Sequence, residues 1–156
     1  MKKTFTMITL VLLTAAIAFA GGDEEEASES MVLPGYSQAG NDSHSFDFQW
    51  QVDGDSLNVQ IMAPTTGWIA LGFDPSNKMA DANILIGYVA DGKAFLRDDY
   101  GIGQVKHGPD TAEGGEENFS NLDGGEADGG TMLSFTIMLD SGDAYDKVLE
   151  EGKTYK

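Results

Sequence analysis

The chain has 156 residues, 26 acidic against 9 basic side chains, two histidines and no cysteine, for a formal charge of −17. That length bounds one domain with a real core and excludes a two-domain enzyme. The charge disfavours nucleic acid and anionic membrane surfaces as partners. Without cysteine there are no disulfides, thiolate nucleophiles, cysteine-held clusters or zinc sites, and no covalent c-type haem attachment.

Lys2 and Lys3 precede an apolar and hydroxylated run over 4–19, and Ala18-Phe19-Ala20 gives a small-x-small ending before Gly21. This pattern predicts a secretory signal peptide over 1–20 and an exported protein, periplasmic in a bacterial precursor. An uncleaved anchor is the alternative. No later run is apolar and long enough to span a bilayer, so no direct membrane span is expected. Residues 21–30, GGDEEEASES, have no period and no large apolar side chain. They predict a disordered acidic spacer over 21–42 ahead of a domain over 43–156.

Strand periodicity begins at 46. Phe46, Phe48, Trp50 and Val52 alternate with Asp47, Gln49 and Gln51, a period of two that predicts a half-buried strand. Asp53-Gly54-Asp55 predicts a turn, and Leu57, Val59 and Ile61 continue the alternation in a second strand, completing a hairpin. Pro64 ends it. WIALGF (68–73) predicts a third strand, in which Gly72 points to a bulge or a close backbone approach. DPSNKMAD (74–81) reads as a loop or a single helical turn. ANILIGYV (82–89) and KAFLRD (93–98) predict two more strands around the Asp91-Gly92 turn. The acidic, glycine-rich stretch 101–130 leaves room for one short edge strand near Phe119 and Leu122. MLSFTIML (132–139) predicts another strand, with Leu133, Phe135, Ile137 and Leu139 on one face. DAYDKVLE (143–150) predicts one or two helical turns. TYK starts as a strand just where the sequence stops, so a further strand is expected to be missing. Many short strands, aspartate and glycine turns and no crossover helix predict an all-β fold, an immunoglobulin-like antiparallel β-sandwich.

Residues 67–100 resemble the DOMON family, β-sandwich domains named after the N-terminal part of dopamine β-monooxygenase. The residues carrying the resemblance are Gly67, Trp68, Gly72, Phe73, Met79, Ala80, Asp81, Gly87 and Tyr88. The later GGTMLSFTIMLDSGDAYDKVLEEGKTY is similar to the family's closing portion, and the likeness covers about 45–156. It implies one of three roles. Some members hold haem b non-covalently and carry electrons. Others bind sugars or small ligands. Some bind neither and act as interaction domains.

The haem version implies Met79 as one axial ligand, since a thioether is a soft iron ligand, with Trp68, Met62 and Tyr88 lining the pocket. The family's second ligand, a histidine near the last strands, has no match here. His44 and His107 stand elsewhere, and each also reads as a solvated loop residue. The implied partner is a redox protein, basic or membrane-bound, steered by the acidic surface. The sugar version implies an exposed aromatic platform, for which Trp50 and Trp68 are candidates beside their default role in the core. Asp98, Asp99 and Tyr100 read as a cation site or a turn cap. The acids from Asp110 to Asp128 match no EF-hand loop and read as a solvated stretch. No nucleophile elbow or triad is visible, so the expectation is a non-enzyme or a redox accessory domain.

Overall fold

In Ser56–Ala63, Leu57, Val59 and Ile61 are buried while Asn58, Gln60 and Met62 are not. Thr131, Leu133, Phe135 and Ile137 do the same in Gly130–Met138. These two strands lie side by side, Val59 opposite Phe135 and Ile61 opposite Leu133, so their apolar faces form one continuous surface. Burying each such side chain contributes about 1.5–3 kcal/mol. The computed structural model describes residues 33–41 and 46–156. The expected leader, the spacer as far as residue 32, and His44 lie outside them.

In chain order the strands are β1 (Ser37–Asn41), β2 (Phe46–Asp53), β3 (Ser56–Ala63), β4 (Ile69–Phe73), β5 (Asn83–Ala90), β6 (Lys93–Gly103), β7 (Lys106–Pro109), β8 (Phe119–Ala127) and β9 (Gly130–Met138). A single helical turn, α1 (Asp110–Glu113), follows β7. They form two antiparallel sheets, ordered β1-β2-β3-β9-β8 and β4-β5-β6-β7. The inner faces enclose one core, in which Ile69, Phe73, Leu85 and Val89 of the smaller sheet pack with Val59, Ile61, Leu133 and Phe135 of the larger. The fold is an all-β sandwich, as the alternation predicts.

Four stretches differ from the sequence reading. Ser37–Asn41, inside the expected spacer, pairs with β2 as an edge strand. The glycine-rich stretch carries two strands, β7 and β8, and β8 reaches nine residues despite few large side chains because β9 supplies its ladder. No helix forms over 143–150. There the Asp143 carboxylate accepts from the Tyr145 N–H at 2.9 Å and the Asp146 carboxylate accepts from Ser141 Oγ at 2.5 Å. Such side-chain bonds compete with helical ones, and Leu149 is drawn into the core as its N–H donates to the Leu139 carbonyl at 2.7 Å. Residues 154–156 form no strand, although the Lys156 carbonyl accepts from the Asp74 N–H at 3.0 Å.

Gly87, rather than Gly72, marks the close approach. A Cβ on Gly87 would sit 2.4 Å from the Phe95 carbonyl oxygen and 2.7 Å from Leu133 Cδ1 of the opposite sheet, whereas one on Gly72 would meet Ile84 Cγ1 at an ordinary 3.7 Å.

Candidate functional site

Met79 lies in the loop between β4 and β5, a loop that the smaller sheet holds tightly. The Met79 N–H donates to the Gln104 carbonyl at 3.3 Å, and its carbonyl accepts from the Ala82 N–H at 3.2 Å. The same carbonyl packs so closely on β6 that only glycine fits at 101, where a Cβ would fall 1.7 Å away. Asp81 ties the loop down by accepting from Ser76 Oγ and from the Tyr100 hydroxyl, the latter at 3.0 Å. The Ser76 hydrogen bond, then that of Tyr100, holds the Asp81 carboxyl below its ordinary range. Asp81 and Tyr100 thus have a structural task, and the Met79 side chain is left half-buried beside them.

Trp68 and Tyr88 come together elsewhere. Ile69 pairs with Gly87 and Tyr88 with Phe95, so Trp68, Tyr88 and Phe95 form one cross-strand row on the outer face of the smaller sheet. Tyr88 and Phe95 stack with ring centroids 5.1 Å apart. Their exposures, 68% for Trp68, 46% for Tyr88 and 44% for Phe95, are high for aromatic side chains on a sheet. A cleft of about 440 Å³ opens over the row, lined also by Ile86, Arg97 and Glu117. Phe95 and Arg97 were missed in the sequence because FLR gives no clear alternation. Only the observed register shows that Phe95 faces outward while Leu96 faces the core.

The row stands about 17 Å along β5 from the Met79 loop, five residues at strand rise. Met62 is on neither side of it. It faces outward from the larger sheet, opposite Met132, so the four residues named for one pocket divide among three places. Trp50 packs against the core and stacks on Phe48 at 4.7 Å. His107 is held by its Nδ1 to the carboxylate of Asp99, which also takes the Arg97 guanidinium at 2.5 and 2.7 Å. Asp99 is fully buried, and the Arg97 guanidinium offsets its charge.

Asp98 points the other way, between the sheets, and meets Asp110 of α1 and Asp146 of the 140s loop. One carboxylate oxygen from each lies within 4.8 Å of the others. Burial pushes the Asp98 carboxyl up to about 7. The Asn118 N–H opposes this at 3.0 Å, and the charges of Asp146, Asp110 and Asp143 add to it. Burial, then the charges of Asp146, Asp143 and Asp99, likewise pushes Asp110 up to about 7. Asp146 is raised by burial too, against hydrogen bonds from Ser141 and Asn83.

The other well-formed cleft, about 850 Å³, opens into the core where 149–156 pass Phe48, Trp50, Leu71 and Phe73. It is roomy, yet among the described residues no methionine or histidine lines it, and none lines the aromatic cleft. As arranged, neither cleft presents iron with the thioether that the haem reading assigns to Met79.

A two-sheet sandwich with open clefts and an exposed row of aromatics has the make-up of a ligand-binding module. The chain belongs to the DOMON domain family, whose model matches residues 42–156. It is also similar to DBH-like monooxygenase protein 1, at 35% identity over 49 residues in the human protein and 37% over 49 residues in the mouse protein. Similarity to the Drosophila melanogaster protein MOXD1 homolog 2 runs at 32% over 53 residues. These segments are 31–34% of this chain but only 7–8% of those relatives. Among the described residues no helix is long and apolar enough to cross a membrane.

Proposed function

We infer that this DOMON domain binds a carbohydrate against the outer face of its smaller sheet. The observation that carries the reading is the exposed row Trp68–Tyr88–Phe95 beneath a cleft of about 440 Å³. A pyranose has one apolar C–H face and a rim of hydroxyls. Aromatic rings cover the first, and Arg97 and Glu117 at the margin supply a donor and an acceptor for the second. Arg97 is already fixed by Asp99, so little side-chain freedom is lost when a hydroxyl docks. The alternating in-and-out pattern of β5 and β6 makes this face without disturbing the core, because Tyr88, Phe95 and Arg97 all lie on the outward register.

The test is a fluorescence titration of the full chain with glucose, cellobiose and xylobiose, supported by calorimetry. Saturable binding is expected to one of them. Trp68→Ala should weaken it at least ten-fold, about 1.4 kcal/mol, with an unchanged melting temperature because Trp68 is mostly exposed. No saturable binding across an extended oligosaccharide panel would refute the reading. The haem alternative retains Met79 and an acidic surface suited to a basic redox partner, and it has its own readout. A Soret band with sharp reduced α and β bands, lost in Met79→Ala, would replace the sugar reading with that of an electron carrier.

A further inference from the structure

The inner side of β6 holds a second constellation, separate from the aromatic row. Among the described residues four buried side-chain oxygens have no hydrogen-bond partner: Asn83 Oδ1, Asp98 Oδ1 and both carboxylate oxygens of Asp110. All four are acceptors, and they belong to one place. Asp98 and Asp110 are two of the three converging carboxylates. Asn83 is tied to the third, its Nδ2 donating to Asp146 Oδ1 at 2.7 Å. Leu85 pairs with Asp98 and Asn83 with Tyr100, so Asn83 and Asp98 are diagonal neighbours on the inner face.

Asn83 is only 5% exposed and Asp110 is 0% exposed. Asn83 is a neutral amide, so acidic crowding cannot explain its orphaned oxygen. An unpaired buried polar group costs about 1–3 kcal/mol, and a buried charge more. Four in one spot, all acceptors, define the missing partner: it must be positive or donate from every side. Among the described residues no ion pair joins a lysine or arginine to these carboxylates: Arg97 pairs with Asp99 and Lys153 with Glu150, and only acids act on the cluster's charge.

We propose that Asp98, Asp110, Asp146 and Asn83 bind a calcium ion that clasps β6, α1 and the 140s loop together. The donor set is oxygen only, which suits a hard cation over zinc or copper. Four protein side chains converge here, more than the one or two carboxylates by which magnesium is usually held. That favours calcium over magnesium, which keeps several waters and demands a tighter octahedron. A divalent ion would offset two of the three carboxylate charges, and the amide oxygen adds a neutral donor. The amide of Asn118, in the orientation that satisfies it, donates to Asp146 Oδ2 at 3.1 Å. Ser141 holds the same oxygen. Asp146 is thereby oriented before any ion arrives.

Calorimetry and thermal melts of the chelator-treated full chain with calcium chloride test this. One saturable site per chain is expected, with a melting temperature that climbs with calcium and an affinity at least ten-fold above that for magnesium. Asp110→Asn should lower calcium affinity at least ten-fold while leaving the ion-free fold intact, because it removes an unpaired buried charge. Should Asp110→Asn fail to fold, the half-buried Asp146→Asn gives the same reading. Asp123→Asn, on the exposed acidic stretch, should change nothing. Absence of saturable binding up to about millimolar calcium, the weak end for extracellular modules, would overturn the proposal. So would equal binding by wild type and both cluster variants, which would place calcium on the general acidic surface. Magnesium binding as tightly as calcium would overturn the choice of ion.

Discussion

Gly87→Ala tests how the two sheets meet. The added methyl would stand 2.4 Å from the Phe95 carbonyl oxygen, 2.7 Å from Leu133 Cδ1 and 3.0 Å from Leu96 Cδ1. The oxygen belongs to the β5–β6 ladder and cannot rotate away, and Leu133 is wholly enclosed. Overpacking of this kind costs about 1–3 kcal/mol. The unfolding entropy of a domain this size is about 0.25 kcal/mol per kelvin, so the melting temperature should fall by about 4–12 °C. Gly72→Ala is the matched control on the neighbouring strand: its methyl meets nothing nearer than 3.7 Å, and its effect should stay within about 0.5 kcal/mol. Thermal melts and urea titrations of both variants, with m checked for constancy, give the comparison. Gly87→Ala melting within about 2 °C of Gly72→Ala, by the same conversion, would refute the close approach of β5 to β9.

Two further outcomes follow from the carboxylates. In the ion-free protein Asp98 and Asp110 are raised from 3.8 to about 7, so between those values the folded state holds protons that the unfolded state has lost. Stability should therefore fall as pH rises from about 4 to about 7 and level off above; urea midpoints that rise across that window would contradict the burial of these groups. Asp99→Asn removes the negative charge and one of the two acceptor oxygens that Arg97 and His107 share. With Arg97 half-exposed, the loss should be about 1–2 kcal/mol by urea titration, and an unchanged midpoint would mean that Asp99 is not paired in solution.

The parts of the fold that could be read in the sequence are those where large apolar residues mark every second position. β2, β3, β4, β5 and β9 do so, and they form the core. β1 and β8 do not: SQAGN and FSNLDGGEA carry small or acidic residues, and their ladder comes from a stronger neighbour. β8 also shifts register between Ser120 and Asp123, which breaks any period. The helical period of DAYDKVLE misled because three of its side chains bond locally or pack downward instead of continuing a turn. The DOMON motif was legible, and the structure gives part of its cause: Asp81 accepts from Tyr100, Gly87 admits Leu133, and Trp68 and Tyr88 share a row. The carboxylate triad was not legible as a site, since residues 98, 110 and 146 fit no spacing rule. Its mark on the strand shows only once the register is known. In Ala94, Leu96, Asp98 an acid takes the inward position of an alternating strand, which water-facing aspartates do not do.

β6 joins the two constellations. Its residues alternate across the sheet: Phe95, Arg97 and Asp99 face out beside the aromatic cleft, while Leu96 and Asp98 face in. Arg97, at the cleft margin, and Asp98, in the carboxylate cluster, are consecutive. When all three are ionised, Asp98, Asp110 and Asp146 repel one another across β6, α1 and the 140s loop. Glu117, on the far margin of the cleft, is one residue from Asn118, whose N–H bonds Asp98. Both polar margins of the aromatic cleft are thus one residue from the carboxylate cluster. The period of two that buries the core also places the aromatic row and the carboxylate cluster on opposite sides of a single strand.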